Sequence, residues 1–281
     1  SGQMVTPESV IVRAPDGAQV HCQLFKPPAR SGTSSSAKHP AIVFVHGGPP
    51  RQMLLGWHYM FYYANTYALN QYLASRGFVV LSVNYRLGIG YGHAFHYPDN
   101  AGVRGASEYQ DVLAAGQYLQ KRDDVDPARV GIWGGSYGGY LAALALGRNS
   151  DVFAAGVDIH GVHRRQAAIL LAAAPPAPLD ALSGGVREGM NEAAWLSSPI
   201  STVPTWKSPV LLIHGDDDRN VRFEQTVDLL LRLRAKGVDV EELVIPDDIH
   251  DFLLFGNWVK VGQATGDYFE KKFLTRSTSS R

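Results

Sequence analysis

Val130-Gly131-Ile132-Trp133, then Gly134-Gly135-Ser136-Tyr137-Gly138, then Tyr140-Leu141-Ala142-Ala143-Leu144-Ala145-Leu146, is the stretch that decides the fold. The first four residues read as a short buried strand. The last seven read as a helix that should stop at Gly147. Between them lies Gly-x-Ser-x-Gly, a weak pattern alone but a strong one between a strand and a helix. The turn forces its serine into a strained backbone, and side chains on its neighbours would collide with the strand and the helix. A serine presented in this way is a nucleophile waiting for a base.

That base needs a third group to orient it. Downstream, Val210-Leu211-Leu212-Ile213 reads as a buried strand leading into His214-Gly215-Asp216-Asp217-Asp218. Leu243-Val244-Ile245 is another, followed by Pro246-Asp247-Asp248-Ile249-His250. Serine, acid and histidine thus each follow a strand end, in the chain order of α/β-hydrolase folds. In a parallel sheet all three emerge on one edge, where such folds build their sites. The expected roles are Ser136 as nucleophile, His250 as base and then acid, and one aspartate of the 216–218 cluster as orienter. Three adjacent aspartates also suit a solvated loop or an Asx-turn. The oxyanion requires preorganised donors. One is the backbone N–H of Tyr137. The second belongs to the loop His46-Gly47-Gly48-Pro49-Pro50, directly after the strand Ala41–Val45. His46 itself reads as structural.

Around this core the chain alternates strands and helices. Val10–Arg13 and Val20–Phe25 flank Asp16-Gly17, a hairpin signal. Further strands are expected at Phe78–Val83 and Ala155–Ile159, making eight with six parallel and helices on both faces. Phe223, Val227, Leu230 and Leu231 mark one face of a helix that stops at Gly237, with Arg232, Arg234 and Lys236 near its end. Residues 1–8 read as a tag remnant and lead-in, 9–274 as one catalytic domain, and 275–281 as a flexible tail. Within the domain, 162–198 is expected to be an irregular lid or pocket wall.

Composition narrows the function. The chain has 281 residues, 45% of them hydrophobic, enough for one large core. Lys plus Arg and Asp plus Glu number 26 each, so net charge is zero and no basic stripe points to nucleic acid or an acidic membrane. The apolar run Ala167–Ala174 is too short to span a bilayer. Cys22 is the single cysteine, which fits a reducing compartment such as the cytoplasm and reads as a strand residue. His93 and His96 have a spacing that suits metal, but no further ligand motif accompanies them. No metal or cofactor is expected.

Several segments together resemble the catalytic domain of the prolyl oligopeptidase family of serine peptidases, in particular its acylaminoacyl and dipeptidyl peptidase branches. They are His46-Gly47-Gly48-Pro49, Asn84-Tyr85-Arg86 with Gly90-Tyr91-Gly92, Asp126-Pro127 leading to Gly134–Tyr140, and His214-Gly215 with Asp218, Val221 and His250. The resemblance implies an α/β-hydrolase fold from about Val10 to Phe273. It places the acid at Asp218 and the second oxyanion donor at Gly48. It also implies a peptide substrate, cleaved after proline or a small or apolar residue or at a blocked N-terminus. Asn220 matches a substrate-contacting asparagine of the dipeptidyl peptidases, while the stretch His160–Arg165 lacks their tyrosines. Tyr140, Val162 and Trp195 are either pocket residues or plain core. Family members usually carry an N-terminal β-propeller that filters substrates, so such a domain is an expected partner; a homo-oligomer is left open. Two other readings stand beside this one: a carboxylesterase using the same triad, and a binding module on a decayed hydrolase fold.

Overall fold

The computed structural model describes residues 4–28, 38–102, 106–164 and 192–275. Eight strands form one sheet in the order β1-β2-β4-β3-β5-β6-β7-β8. They are β1 (Glu8–Arg13), β2 (Gln19–Phe25), β3 (His39–Val45), β4 (Val79–Asn84), β5 (Val125–Gly135), β6 (Ala155–Ile159), β7 (Val210–Gly215) and β8 (Val240–Ile245). β1 pairs antiparallel with β2, β2 antiparallel with β4, and every other pair is parallel. The expected hairpin and six parallel strands are therefore present. Gly17 takes φ +88° in the hairpin turn. Cys22 is buried on β2.

The helices are α1 (Phe61–Ser75), α2 (His93–His96), α3 (Glu108–Gln120), α4 (Tyr137–Arg148), α5 (Glu192–Leu196), α6 (Glu224–Lys236) and α7 (Phe255–Phe273). A 3-10 segment spans Pro199–Thr205. α1 and α7 cover one face and α3, α4 and α6 the other, so β3, β4 and β7 are buried almost throughout. β3 shows the period of two: Ala41, Val43 and Val45 enter one core, Ile42 and Phe44 the other. α7 buries Trp258, Val261, Thr265, Tyr268 and Phe269, a helical stripe, and ends on Lys271 and Lys272. No described helix is long and apolar enough to cross a membrane.

Two helix expectations are corrected. α4 does not stop at Gly147 but continues to Arg148. A Cβ at Gly147 would overlap the Thr202 hydroxyl, so this glycine lets the 3-10 segment approach rather than ending the helix. α6 buries Gln225, Thr226, Asp228, Leu229 and Leu233, while Leu231 is 46% exposed. Its polar residues turn inward because they have partners. Gln225 Oε1 accepts from the N–H groups of His163 (2.7 Å) and Arg164 (2.9 Å), and Asp228 pairs with Arg232. The expected stop is present, with Gly237 left-handed at φ +81°.

The lead-in is tied down: Val5 exchanges two hydrogen bonds with Gln71 of α1 (2.9 and 2.8 Å). Of the expected lid, 165–191 lies outside the described residues, and Glu192–Leu196 is helical. Residues 276–281 also lie outside them.

Strand order reverses at β3. The chain passes from β3 outward to β4, then returns across β3 to β5. The crevice beyond the carboxyl ends of β3 and β5 is thus the topological switch point, where open α/β sheets place their sites.

Candidate active site

Ser136 sits between the last residue of β5 and the first of α4, with φ +59° and ψ −119°. Its N–H donates to Ile159 O of β6 (2.9 Å), and its carbonyl accepts from Tyr140 N (2.9 Å). A Cβ at Gly138 would overlap the Val45 carbonyl, so the helix can meet β3 closely only through glycine. Backbone strain of this kind costs about 1–3 kcal/mol and holds the side chain out over the strand ends.

Asp218 follows β7 and is 5% exposed. Its carboxylate accepts four N–H groups. Oδ1 takes those of Asn220 (2.8 Å) and Val221 (3.0 Å); Oδ2 takes His250 Nδ1 (2.5 Å) and His214 Nε2 (3.0 Å). Burial pushes its pKa up, but hydrogen bonds from His214 and His250 and the nearby imidazole charge outweigh it, so the carboxyl stays well below the usual range. His214 Nδ1 meets Thr226 Oγ1 (2.7 Å) and its Nε2–H is shared with Val221 O (2.9 Å), which fixes its tautomer.

The three aspartates separate by role. Asp216 accepts from Asp247 N (2.7 Å), joining the loop of the acid to that of the histidine. Asp217 is paired at the surface with Arg219 (3.1 Å). Asp218 forms an Asx-turn through Oδ1 and holds the histidines through Oδ2.

His250 lies on the loop after β8. That loop is pinned by Asp248, which accepts from Ile249 N (2.8 Å), Leu253 N (3.0 Å) and Asn257 Nδ2 (2.6 Å). Beneath the His250 ring lies that of His160, with centroids 4.2 Å apart. His160 follows β6 at φ +41° and meets the Tyr62 hydroxyl through Nε2 (2.7 Å). Burial, with the charges of His250 and His214, drives its pKa well below the ordinary value and keeps it neutral. His160, Asp218 and His250 offer atoms within 4.8 Å of one another, a spacing that suits a metal ion. The Asp218 oxygens are already committed to N–H donors.

Ser136, His250, Gly48 and Asn220 line one cavity of about 520 Å³. Phe61, Tyr62 and Tyr63 at the start of α1 supply an aromatic wall, and Arg51 and Asp251 are its charged residues. No hydrogen bond joins the Ser136 hydroxyl to His250 among the described residues; such bonds often tighten only when substrate arrives. Tyr137 opens α4, and Gly48 has φ +114°. Tyr140 is fully enclosed in the core, and Val162 and Trp195 pack against that core rather than lining this cavity. Two aromatic side chains and a valine gain more there than at a wet wall.

Asn84-Tyr85-Arg86 braces the Gly48 loop. Asn84 Oδ1 accepts from Met53 N (2.7 Å), and Nδ2 donates to Met53 O (3.1 Å) and to the Tyr91 hydroxyl (2.9 Å). The Tyr85 hydroxyl donates to His46 O (2.8 Å), and its ring stacks on those of His46 and Tyr137. Arg86 pairs with Asp111 (2.7 Å) and Asp16 (2.5 Å). His46 donates through Nδ1 to Gly47 O (2.8 Å), and burial lowers its pKa to about 4. The Tyr137 hydroxyl donates to the buried Glu108 (2.5 Å).

Arg51, Tyr62, Tyr63 and His160 were not foreseen from the sequence. His160 was within reach, because it stands directly after a strand, as Ser136 does.

Comparison with known proteins places the chain in a family. The profile of the prolyl oligopeptidase family matches residues 65–275. A dipeptidyl aminopeptidase BIII from Pseudoxanthomonas mexicana is 32% identical over 231 residues, covering 80% of this chain and 32% of the relative. The mouse acylamino-acid-releasing enzyme is 30% identical over 232 residues, covering 78% of this chain and 30% of the relative. Among solved structures, the Pyrococcus horikoshii acylaminoacyl peptidase superposes with a TM-score of 0.78 at 25% identity, over 99% of this chain and 43% of the other. A puromycin-hydrolyzing peptidase of Mycobacterium tuberculosis gives 0.79 at 28% identity, over 95% and 40%. The chain thus spans about a third of the length of the curated relatives it matches.

Proposed function

The chain belongs to the prolyl oligopeptidase family of serine peptidases, and from that premise we propose that it hydrolyses short peptides through an acyl-enzyme on Ser136. The observation that carries this is the 2.5 Å Asp218–His250 pair, whose histidine shares one cavity with a serine on a strand-to-helix elbow. With Nδ1–H held by Asp218, His250 keeps a bare Nε2. That nitrogen takes the Ser136 proton as Oγ bonds to the carbonyl carbon. The oxyanion falls to the N–H groups of Tyr137 and Gly48. Nε2–H then protonates the departing amine as the C–N bond breaks. Water repeats the sequence, releases the acid and restores Ser136.

Cleavage after proline or a small or apolar residue, or at a blocked N-terminus, is supported by the aromatic wall and by the names of the relatives. Asn220 on the cavity wall suits contact with a substrate carbonyl. A propeller like the family's would restrict access to short peptides. The test is a fluorophosphonate probe on the protein and on Ser136→Ala, followed by matched ester and amide substrates. A single adduct on Ser136 with Ser136-dependent amide cleavage is expected. Full peptidase activity in Ser136→Ala would refute the mechanism. Ester turnover without amide turnover would make it a carboxylesterase.

A further inference from the structure

Arg51 is a cation held in the cavity without a counter-ion. It lines the cavity with Gly48 and Ser136 and forms no ion pair among the described residues, although Asp251 lines the same space. Its Nε is buried without a hydrogen-bond partner, and one terminal nitrogen donates to the neighbouring Pro50 O (2.8 Å). The guanidinium also hydrogen-bonds the Tyr63 hydroxyl, a neutral partner that leaves its charge uncompensated.

Its position is fixed. The N–H of Arg51 donates to Pro49 O (2.7 Å), and its carbonyl accepts from Ile89 N (3.1 Å). A Cβ at Gly48 would meet Arg51 Cγ at 2.9 Å, so the stem lies against the candidate oxyanion donor. Two residues on, Met53 is gripped at both N and O by Asn84. A planar cation with unused donors, on a rigid loop beside a nucleophile, matches a carboxylate. Asp251 adjoins His250, so repulsion steers an anion away from it and toward Arg51.

We propose that Arg51 is a specificity residue that binds a substrate carboxylate, either a terminal one or an acidic side chain next to the cleaved bond. The role rests on the peptidase reading, but binding can be measured without turnover. Calorimetry on Ser136→Ala would compare two pairs of ligands. N-acetyl-alanyl-alanine against its amide reports a terminal carboxylate. N-acetyl-glutamyl-alanine amide against its glutamine counterpart reports a side chain. The expected result is a preference of roughly 10-fold or more for the carboxylate in at least one pair. It should vanish when Arg51→Gln is added and survive in part with Arg51→Lys, which separates lost charge from lost packing. Equal affinities in both pairs, no binding of either carboxylate, or a preference that persists in Arg51→Gln would each overturn the proposal. Ser136-dependent cleavage of neutral peptides would leave the peptidase reading standing in those cases. Carboxylate preference without peptide cleavage by the unaltered protein would sink that reading alone.

Discussion

Replacing Asp218 by asparagine alters little in shape and much in hydrogen bonding. Oδ1 faces two backbone N–H groups at 2.8 and 3.0 Å, so the amide oxygen must remain there. The new NH₂ then points at His250 Nδ1, 2.5 Å from the present Oδ2, and at His214 Nε2, 3.0 Å away. Donor meets donor. His250 can relieve this only by moving its proton to Nε2, the nitrogen that must accept from Ser136. His214 cannot follow without turning a lone pair on Val221 O. The expected loss in kcat/KM is about 10,000-fold, the scale for a wrong-tautomer histidine, or ~5.5 kcal/mol in the barrier. Two hydrogen bonds to a charged acceptor are also lost, so stability should fall by roughly 3–6 kcal/mol. Fluorophosphonate labelling rates, kcat/KM on a small ester and urea denaturation of the same preparation separate the two effects. A folded Asp218→Asn protein keeping more than about a tenth of the labelling rate would refute the assignment of Asp218 as orienter.

Tyr62→Phe should leave His160 Nε2 buried without its partner, lowering stability by about 1–3 kcal/mol in urea melts and reducing kcat more than it raises KM. Gly147→Ala should destabilise by about 1–3 kcal/mol in the same assay, because the new methyl meets Thr202; an unchanged midpoint would mean the 3-10 segment gives way freely. Stability should also depend on pH. The pKa of His46 is depressed to about 4, so its contribution is present above the ordinary value near 6.5 and is lost as pH falls toward 4. That is worth up to about 3 kcal/mol, and His46→Phe should flatten that part of a Tm-against-pH curve. His163 runs the other way. Burial lowers its pKa, but Asp158, 2.6 Å away, raises it by more. Its contribution is therefore full below about 6.5 and is lost as pH rises through the folded value. Asp158→Asn should remove that alkaline decline.

The elements legible in the sequence were those written in local pattern. Strands β3 to β8 announce themselves as apolar runs, and Ser136, Asp218 and His250 follow because each stands just past such a run. Two helix details were misread because tertiary contacts overrode local preference. Gly147 serves an approach by Thr202, and Gln225 and Thr226 turn inward to bond His163, Arg164 and His214. The triple aspartate could not be divided by residue type alone; the register of hydrogen bonds between the two loops assigns Asp216, Asp217 and Asp218 their separate partners. Arg51 and Tyr62 carry no motif, since each matters only through what the fold sets beside it.

Tyr85 links the two candidate oxyanion donors mechanically, holding the His46 carbonyl with its hydroxyl and stacking on Tyr137 with its ring. The donors come from distant parts of the chain, yet one side chain touches both segments. In the proposed function, substrate choice rests on Arg51, Asn220 and the aromatic wall of the cavity. On that reading, catalytic power and selectivity would answer to different side chains. A disturbance at residue 85 would slow every substrate by a similar factor and leave their ranking intact, whereas changes along the wall could reorder substrates while the reaction centre keeps its strength.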